Sequence, residues 1–245
     1  MKSLGILALT LIVAGAAAAA GMPVAYEVNG QPYEGYYTEG PAGAPLVLLI
    51  HDWDGLGEYE IKRADMLAEL GYAVFAADLF GRGVRPVETA DRQKLTRALY
   101  QDREKMRALL YGALEAARSK GAATGNAVAM GYCFGGAAVL ELARAGADLK
   151  GFVTFHGGLT TPEGQDYSKA KGKFLVLHGT ADTSVTMEHF ASLAKELEAR
   201  GVVHEMITYS GAPHAFSVFG SGSYREDADK KSWRRFMEYL AETLR

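Results

Sequence analysis

Cysteine is almost missing from this chain: its 245 residues hold one, Cys133, so no intramolecular disulfide can brace the fold. No charge of one sign predominates either. With 26 Lys+Arg against 29 Asp+Glu, a net charge of −3, the chain lacks the field that gathers nucleic acid or anionic membrane. Small neutral or weakly anionic molecules are the expected partners. Long apolar runs are confined to the N-terminus, where Lys2 precedes Leu4 to Ala14 and an alanine stretch ending in Ala18, Ala19 and Ala20. That core is shorter than the ~20 residues of a membrane span. Its small residues offer an A-x-A cleavage site before Gly21. The pattern predicts a signal peptide over 1–20 and a single domain over 21–245. The mature protein is then periplasmic or secreted, with no stable membrane anchor after signal cleavage; an uncleaved anchor is the other reading. Histidine pairs at helical zinc spacing are absent, so no metal site is expected. Internal repeats and low-complexity linkers are also lacking, which excludes a solenoid and gives a second domain little support.

What is present is a succession of short apolar runs separated by longer helical patterns. Tyr26-Glu27-Val28, the Asn29-Gly30 pair and Gln31 to Glu39 predict a hairpin, because Asn-Gly supplies the two positive φ angles of a tight turn. Runs at Leu46 to Ile50, Ala73 to Ala77, Ala127 to Met130, Phe152 to Phe155 and Phe174 to Leu177 suit strands buried on both faces, with a sixth at Val202 to Tyr209. Helices are predicted at Tyr59 to Leu70, Thr89 to Arg118 with a break near Gly112, Ala137 to Ala145, Met187 to Ala199 and Glu226 to Leu244. Gly71, Gly121, Gly146 and Gly201 stand where left-handed residues end helices. The fold class is therefore α/β: a mostly parallel central sheet with helices on both faces and an N-terminal β-hairpin.

The strongest local signal is Gly131-Tyr132-Cys133-Phe134-Gly135-Gly136, between a strand and a helix. This is the pattern of a nucleophile elbow with cysteine at the nucleophile position, where a helix N-terminus and a cationic imidazole favour thiolate. The bland reading is a small core cysteine with flexible neighbours. An acid and a histidine follow in the chain order of an α/β-hydrolase. Asp182 lies just past the strand ending in His178, and His214 lies in the loop after Tyr209. Taken alone, Asp182 equally fits a cap for the next helix and His214 a plain loop histidine. His51, His156 and His178 sit at strand ends; His189 and His204 read as surface positions.

The segments Ile50-His51-Asp52-Trp53-Asp54-Gly55-Leu56, Gly71-Tyr72-Ala73-Val74, Asp78-Leu79-Phe80-Gly81-Arg82, the Cys133 elbow, His178-Gly179-Thr180-Ala181-Asp182 and Pro213-His214-Ala215-Phe216 together resemble the dienelactone hydrolase family, from about Pro45 onward. The resemblance implies a single-domain α/β-hydrolase without cofactor, in which Cys133 is nucleophile, His214 base and Asp182 its orienter. It also implies backbone N–H groups of Phe134 and Trp53 as oxyanion donors. Asp52 stands where the family has a glutamate that tunes the thiol, and turn capping is the alternative. Arg82 matches one arginine of the family's carboxylate clamp, or is a solvated loop residue, while Val218 takes the place of the second. Losing half a bidentate clamp weakens selection for a carboxylated lactone. Phe216, with His156 and Phe219, is expected to wall an apolar pocket. The expected reaction is hydrolysis of small esters or lactones through an acyl-thioester. Acyl transfer to an alcohol or amine stays open. The rival reading is a non-catalytic small-ligand binder or thiol sensor that keeps the hydrolase fold.

Overall fold

Strand runs apolar at every position must be covered on both sides, and the chain supplies helices for both. The computed structural model describes residues 21–244; the predicted signal over 1–20 lies outside them. Strands β1 (Met22–Val28) and β2 (Gln31–Thr38) pair antiparallel, with Val28 opposite Gln31. Asn29 at φ 50° and Gly30 at φ 73° turn the chain between them, the positive pair expected of a tight hairpin.

The remaining strands are β3 (Pro45–Ile50), β4 (Ala73–Ala77), β5 (Ala123–Tyr132), β6 (Gly151–Phe155), β7 (Lys173–Gly179) and β8 (His204–Tyr209). They form one eight-stranded sheet in the order β1-β2-β4-β3-β5-β6-β7-β8. From β4 through β8 all pairings are parallel, and β2 joins β4 antiparallel.

Helices α1 (Glu58–Glu69), α2 (Thr89–Gln101), α3 (Arg103–Ser119), α4 (Phe134–Arg144), α5 (Met187–Ala199) and α6 (Glu226–Thr243) cover the two faces. Alternation along β3 shows how. Leu46, Leu48 and Ile50 join a core with Leu99, Leu109, Leu140 and Leu193 from α2, α3, α4 and α5. Val47 and Leu49 join a second core with Leu67 of α1 and Phe236 and Leu240 of α6. Among the described residues, no helix is long and apolar enough to cross a membrane.

One sequence expectation needs correction. The long helix predicted from Thr89 breaks at Asp102, not near Gly112, because Asp102 accepts a hydrogen bond from Lys105 N at 2.9 Å and starts a new helix. Gly112 answers a packing demand instead. A Cβ there would lie 2.4 Å from Cγ2 of Val28, so its missing side chain lets α3 close on the hairpin.

Candidate active site

Strand β5 runs into α4 through a turn that only small neighbours permit. Cys133 sits between them at φ 49° and ψ −113°, a left-handed backbone that L residues adopt at a cost of ~1–3 kcal/mol. A Cβ on Gly131 would lie 2.3 Å from the Gly135 carbonyl group, and one on Gly135 2.4 Å from the carbonyl oxygens of Ile50 and His51. These glycines let the turn fold against itself and against the end of β3. The result places a half-buried sulfur at the N-terminus of α4, where the first N–H groups have no intrahelical partner.

Two other loops on the same sheet edge reach this sulfur. Nε2 of His214 lies 3.0 Å from Cys133 Sγ, and its Nδ1 lies 2.7 Å from Asp182 Oδ2. Asp182 is fixed in turn, since its Oδ1 accepts from Ser184 N at 2.9 Å and Val185 N at 2.8 Å. Burial opposes the Asp182 charge, but the imidazole and these amides hold the carboxyl below its usual range. Burial likewise opposes the His214 cation, yet the Asp182 and Cys133 hydrogen bonds lift that ring to about 10. Gly179, at the end of β7, is required by close approach: a Cβ would lie 2.2 Å from Ala212 O in the His214 loop. The three predicted residues are thus brought together, and the line sulfur–imidazole–carboxylate can move a proton from thiol to ring while stabilising the resulting cation.

Of the predicted oxyanion donors, Phe134 opens α4 and Trp53 follows β3. The Phe134 side chain is buried among Tyr100, Phe80 and His51.

Two further expectations are placed differently. Phe216 is not a pocket wall: it is fully buried, edge-on to His156 with ring centroids 5.3 Å apart, so it backs the site from beneath. Arg82 is half exposed and reaches Glu34 of the hairpin at 3.5 Å. It does not line a cleft of about 580 Å³ between Asp54, Tyr59, Arg85 and Phe219, whose cations are Lys62, Arg85 and Arg92 and whose walls include none of Cys133, Asp182 and His214. Arg92 also lies over the Trp53 ring, 5.3 Å from its centroid. Sequence reading missed Arg85 and Arg92, since arginine in a loop or on a helix is normally solvated. Val218 and Phe219 do line this cleft.

Asp52 serves the turn. Its Oδ1 accepts from Asp54 N at 2.9 Å, and its own N–H points to Glu60 Oε1 at 3.4 Å. Burial and neighbouring carboxylates push both Asp52 and Glu60 above the usual carboxylate range. A raised native value contributes stability below the unfolded value, about 4, that is lost as pH rises. Asp52→Asn removes the ionisation, so thermal melts from about pH 5 to about pH 9 should show the variant gaining on the parent. Parallel pH dependence in the two proteins would overturn this.

A strained cysteine elbow after the fifth strand, an acid after the seventh and a histidine after the eighth define the α/β-hydrolase class. Within it, the chain belongs to the dienelactone hydrolase family, whose profile matches residues 34–244. A Salmonella typhimurium protein with a provisional carboxymethylenebutenolidase name is 27% identical over 228 residues, covering 87% of this chain and 84% of that one. "Protein usf" of Aquifex pyrophilus is 28% identical over 202 residues, 80% of this chain and 87% of that one. Among solved structures, a dienelactone hydrolase-like promiscuous phosphotriesterase from metagenomic libraries superposes with a TM-score of 0.84 at 30% identity, covering 92% of this chain and 98% of that one. The chain is therefore a hydrolase of this family acting on small molecules.

Proposed function

We propose that the protein hydrolyses small esters or lactones through an acyl-thioester on Cys133. The observation that carries this reading is the continuous line from Cys133 Sγ through His214 to Asp182 at 3.0 and 2.7 Å. In the first step the thiolate attacks the substrate carbonyl carbon, and the N–H groups of Phe134 and Trp53 receive the developing oxyanion. The C–O bond then breaks as His214 gives its proton to the leaving alkoxide. In the second step His214 takes a proton from water, hydroxide adds to the thioester, and the acid leaves with the thiolate restored.

The half-lost clamp supports neutral over carboxylated substrates. Arg82 is turned to Glu34 of the hairpin, and apolar Val218 stands where the family has a second arginine. Arg85 and Arg92 already face Asp78 at 3.7 Å and Asp54 at 3.9 Å. Export to the periplasm or medium, on the strength of the N-terminal pattern, forms part of the same proposal.

The test is acid-quenched turnover of p-nitrophenyl acetate followed by intact-mass analysis and peptide mapping. An acetyl group on Cys133 is expected, with neutral esters turned over at least as fast as carboxylated lactones. Turnover with no acyl group on that residue would overturn the mechanism. A phosphotriester belongs in the same panel, because the 30%-identical structure bears that activity in its name.

A further inference from the structure

Behind His214 runs a buried polar chain that the mechanism above does not use. Arg63 of α1 pairs with Asp229 of α6, both buried, and Tyr224 donates to the same carboxylate at 3.2 Å. Arg63 then holds the loop after His214 directly, its Nη2 donating to Ser217 O at 2.9 Å, while its Nε donates to the hydroxyl of Tyr59 on the same helix at 3.3 Å. The Tyr59 hydroxyl lies 2.8 Å from Ser217 Oγ, which lies 2.8 Å from Nε2 of His156. The His156 ring is fully buried and meets the His214 ring edge-on, centroids 5.4 Å apart.

A guanidinium can only donate, so the Tyr59 oxygen accepts from Arg63. Beyond it the Tyr59, Ser217 and His156 groups share their protons, and either atom of each pair can donate. Nε2 of His156 is engaged by Ser217 in either tautomer, while among the described residues its buried Nδ1 has no hydrogen-bond partner. Burial, then the neighbouring His214 charge, disfavours a His156 cation. Of the two adjacent rings, His214 is the one able to hold the proton. The backbone agrees with a constrained assembly, since His156 at φ 40° and Ala215 at φ 61° are both left-handed.

We propose that Ser217 and His156 are positioning residues for His214: they end a buried hydrogen-bond chain from Asp229, and the edge-on His156 ring aims the imidazole at the Cys133 sulfur. The inference rests on the cysteine–histidine reading above, and its test is separable from that reading. Alkylation of Cys133 by iodoacetamide, followed against pH on the whole purified protein, reports the titration of the sulfur–imidazole pair without requiring hydrolysis. The groups facing that pair are Asp182 and His178 from β7 and its loop, His156 just after β6 and Tyr100 from α2, with Arg63 of α1 acting on His156 behind them.

Ser217→Ala should move the alkylation midpoint upward by about one pH unit, about tenfold slower reaction on the acid limb. Tyr59→Phe, which keeps the ring and cuts the chain one link earlier, should move it the same way. A profile for Ser217→Ala that superimposes on the parent overturns the inference, whether or not its Tm falls, because a purely structural hydroxyl would lower Tm alone. Shifted profiles in a protein that cleaves no ester would leave the inference standing and remove the hydrolase mechanism. Ester cleavage with unshifted profiles would do the reverse.

Discussion

Cys133→Ala should lose ester hydrolysis by on the order of 10⁴-fold or more, because removing the nucleophile of a covalent mechanism leaves only the oxyanion donors and binding to help. The fold should survive. Alanine keeps a Cβ at the same φ of 49°, and the sulfur's recorded hydrogen bond is the one to His214. The measurement is the initial rate on p-nitrophenyl acetate for parent and variant, with melting curves to confirm that both are folded. Equal rates would show that Cys133 is not the attacking group; no ester turnover by either protein, with reversible oxidation of Cys133, would favour the thiol-sensing reading.

A second large loss is expected from Asp182→Asn, on the order of 10³- to 10⁴-fold in kcat. The reason is tautomeric. Asparagine keeps an oxygen for the Ser184 and Val185 amides that Asp182 Oδ1 now accepts, so the loop stays in place. Its NH₂ then faces Nδ1 of His214, where the carboxylate stood at 2.7 Å. An imidazole receiving a proton at Nδ1 carries its own on Nε2, and Nε2–H cannot take a proton from the thiol. Loss of the carboxylate also removes support for the charged ring, which burial opposes and which Asp182 and Cys133 together lift to about 10. Steady-state kinetics should show the loss in kcat with KM little changed. A variant within about tenfold of the parent would mean that the carboxylate does not set the imidazole.

Much of the scaffold could be read from local pattern. Strands such as Leu46 to Ile50 announce themselves because burial on both faces leaves no polar position. The elbow is legible because glycine at 131 and 135 is demanded by backbone approaches of 2.3 and 2.4 Å. Chain order then pointed to Asp182 and His214.

What escaped was set by tertiary contact. Whether Arg82 or Arg85 faces the cleft depends on a turn with Gly81 at φ 119° and Gly83 at φ 76°, where no hydrophobic period indicates direction. Phe216 and Ser217 follow the histidine in an unremarkable loop, yet Ser217 meets a tyrosine 158 residues away. Arg63 interrupts a helix that reads as amphipathic, and its partner Asp229 comes 166 residues later. No single-sequence period links such positions.

The strand order has a consequence for traffic through the site. Cys133 follows β5, while His214 follows β8, three places along the sheet, a span of roughly 14 Å at normal strand spacing. The histidine loop must therefore arch back over the end of β6, and the space beneath the arch is filled by Tyr132, His156 and Phe216, none of them exposed. In the proposed two-step mechanism, alcohol leaving and water arriving then share the side of the sulfur away from these rings, so they pass in turn and the acyl group waits on Cys133 through the interval.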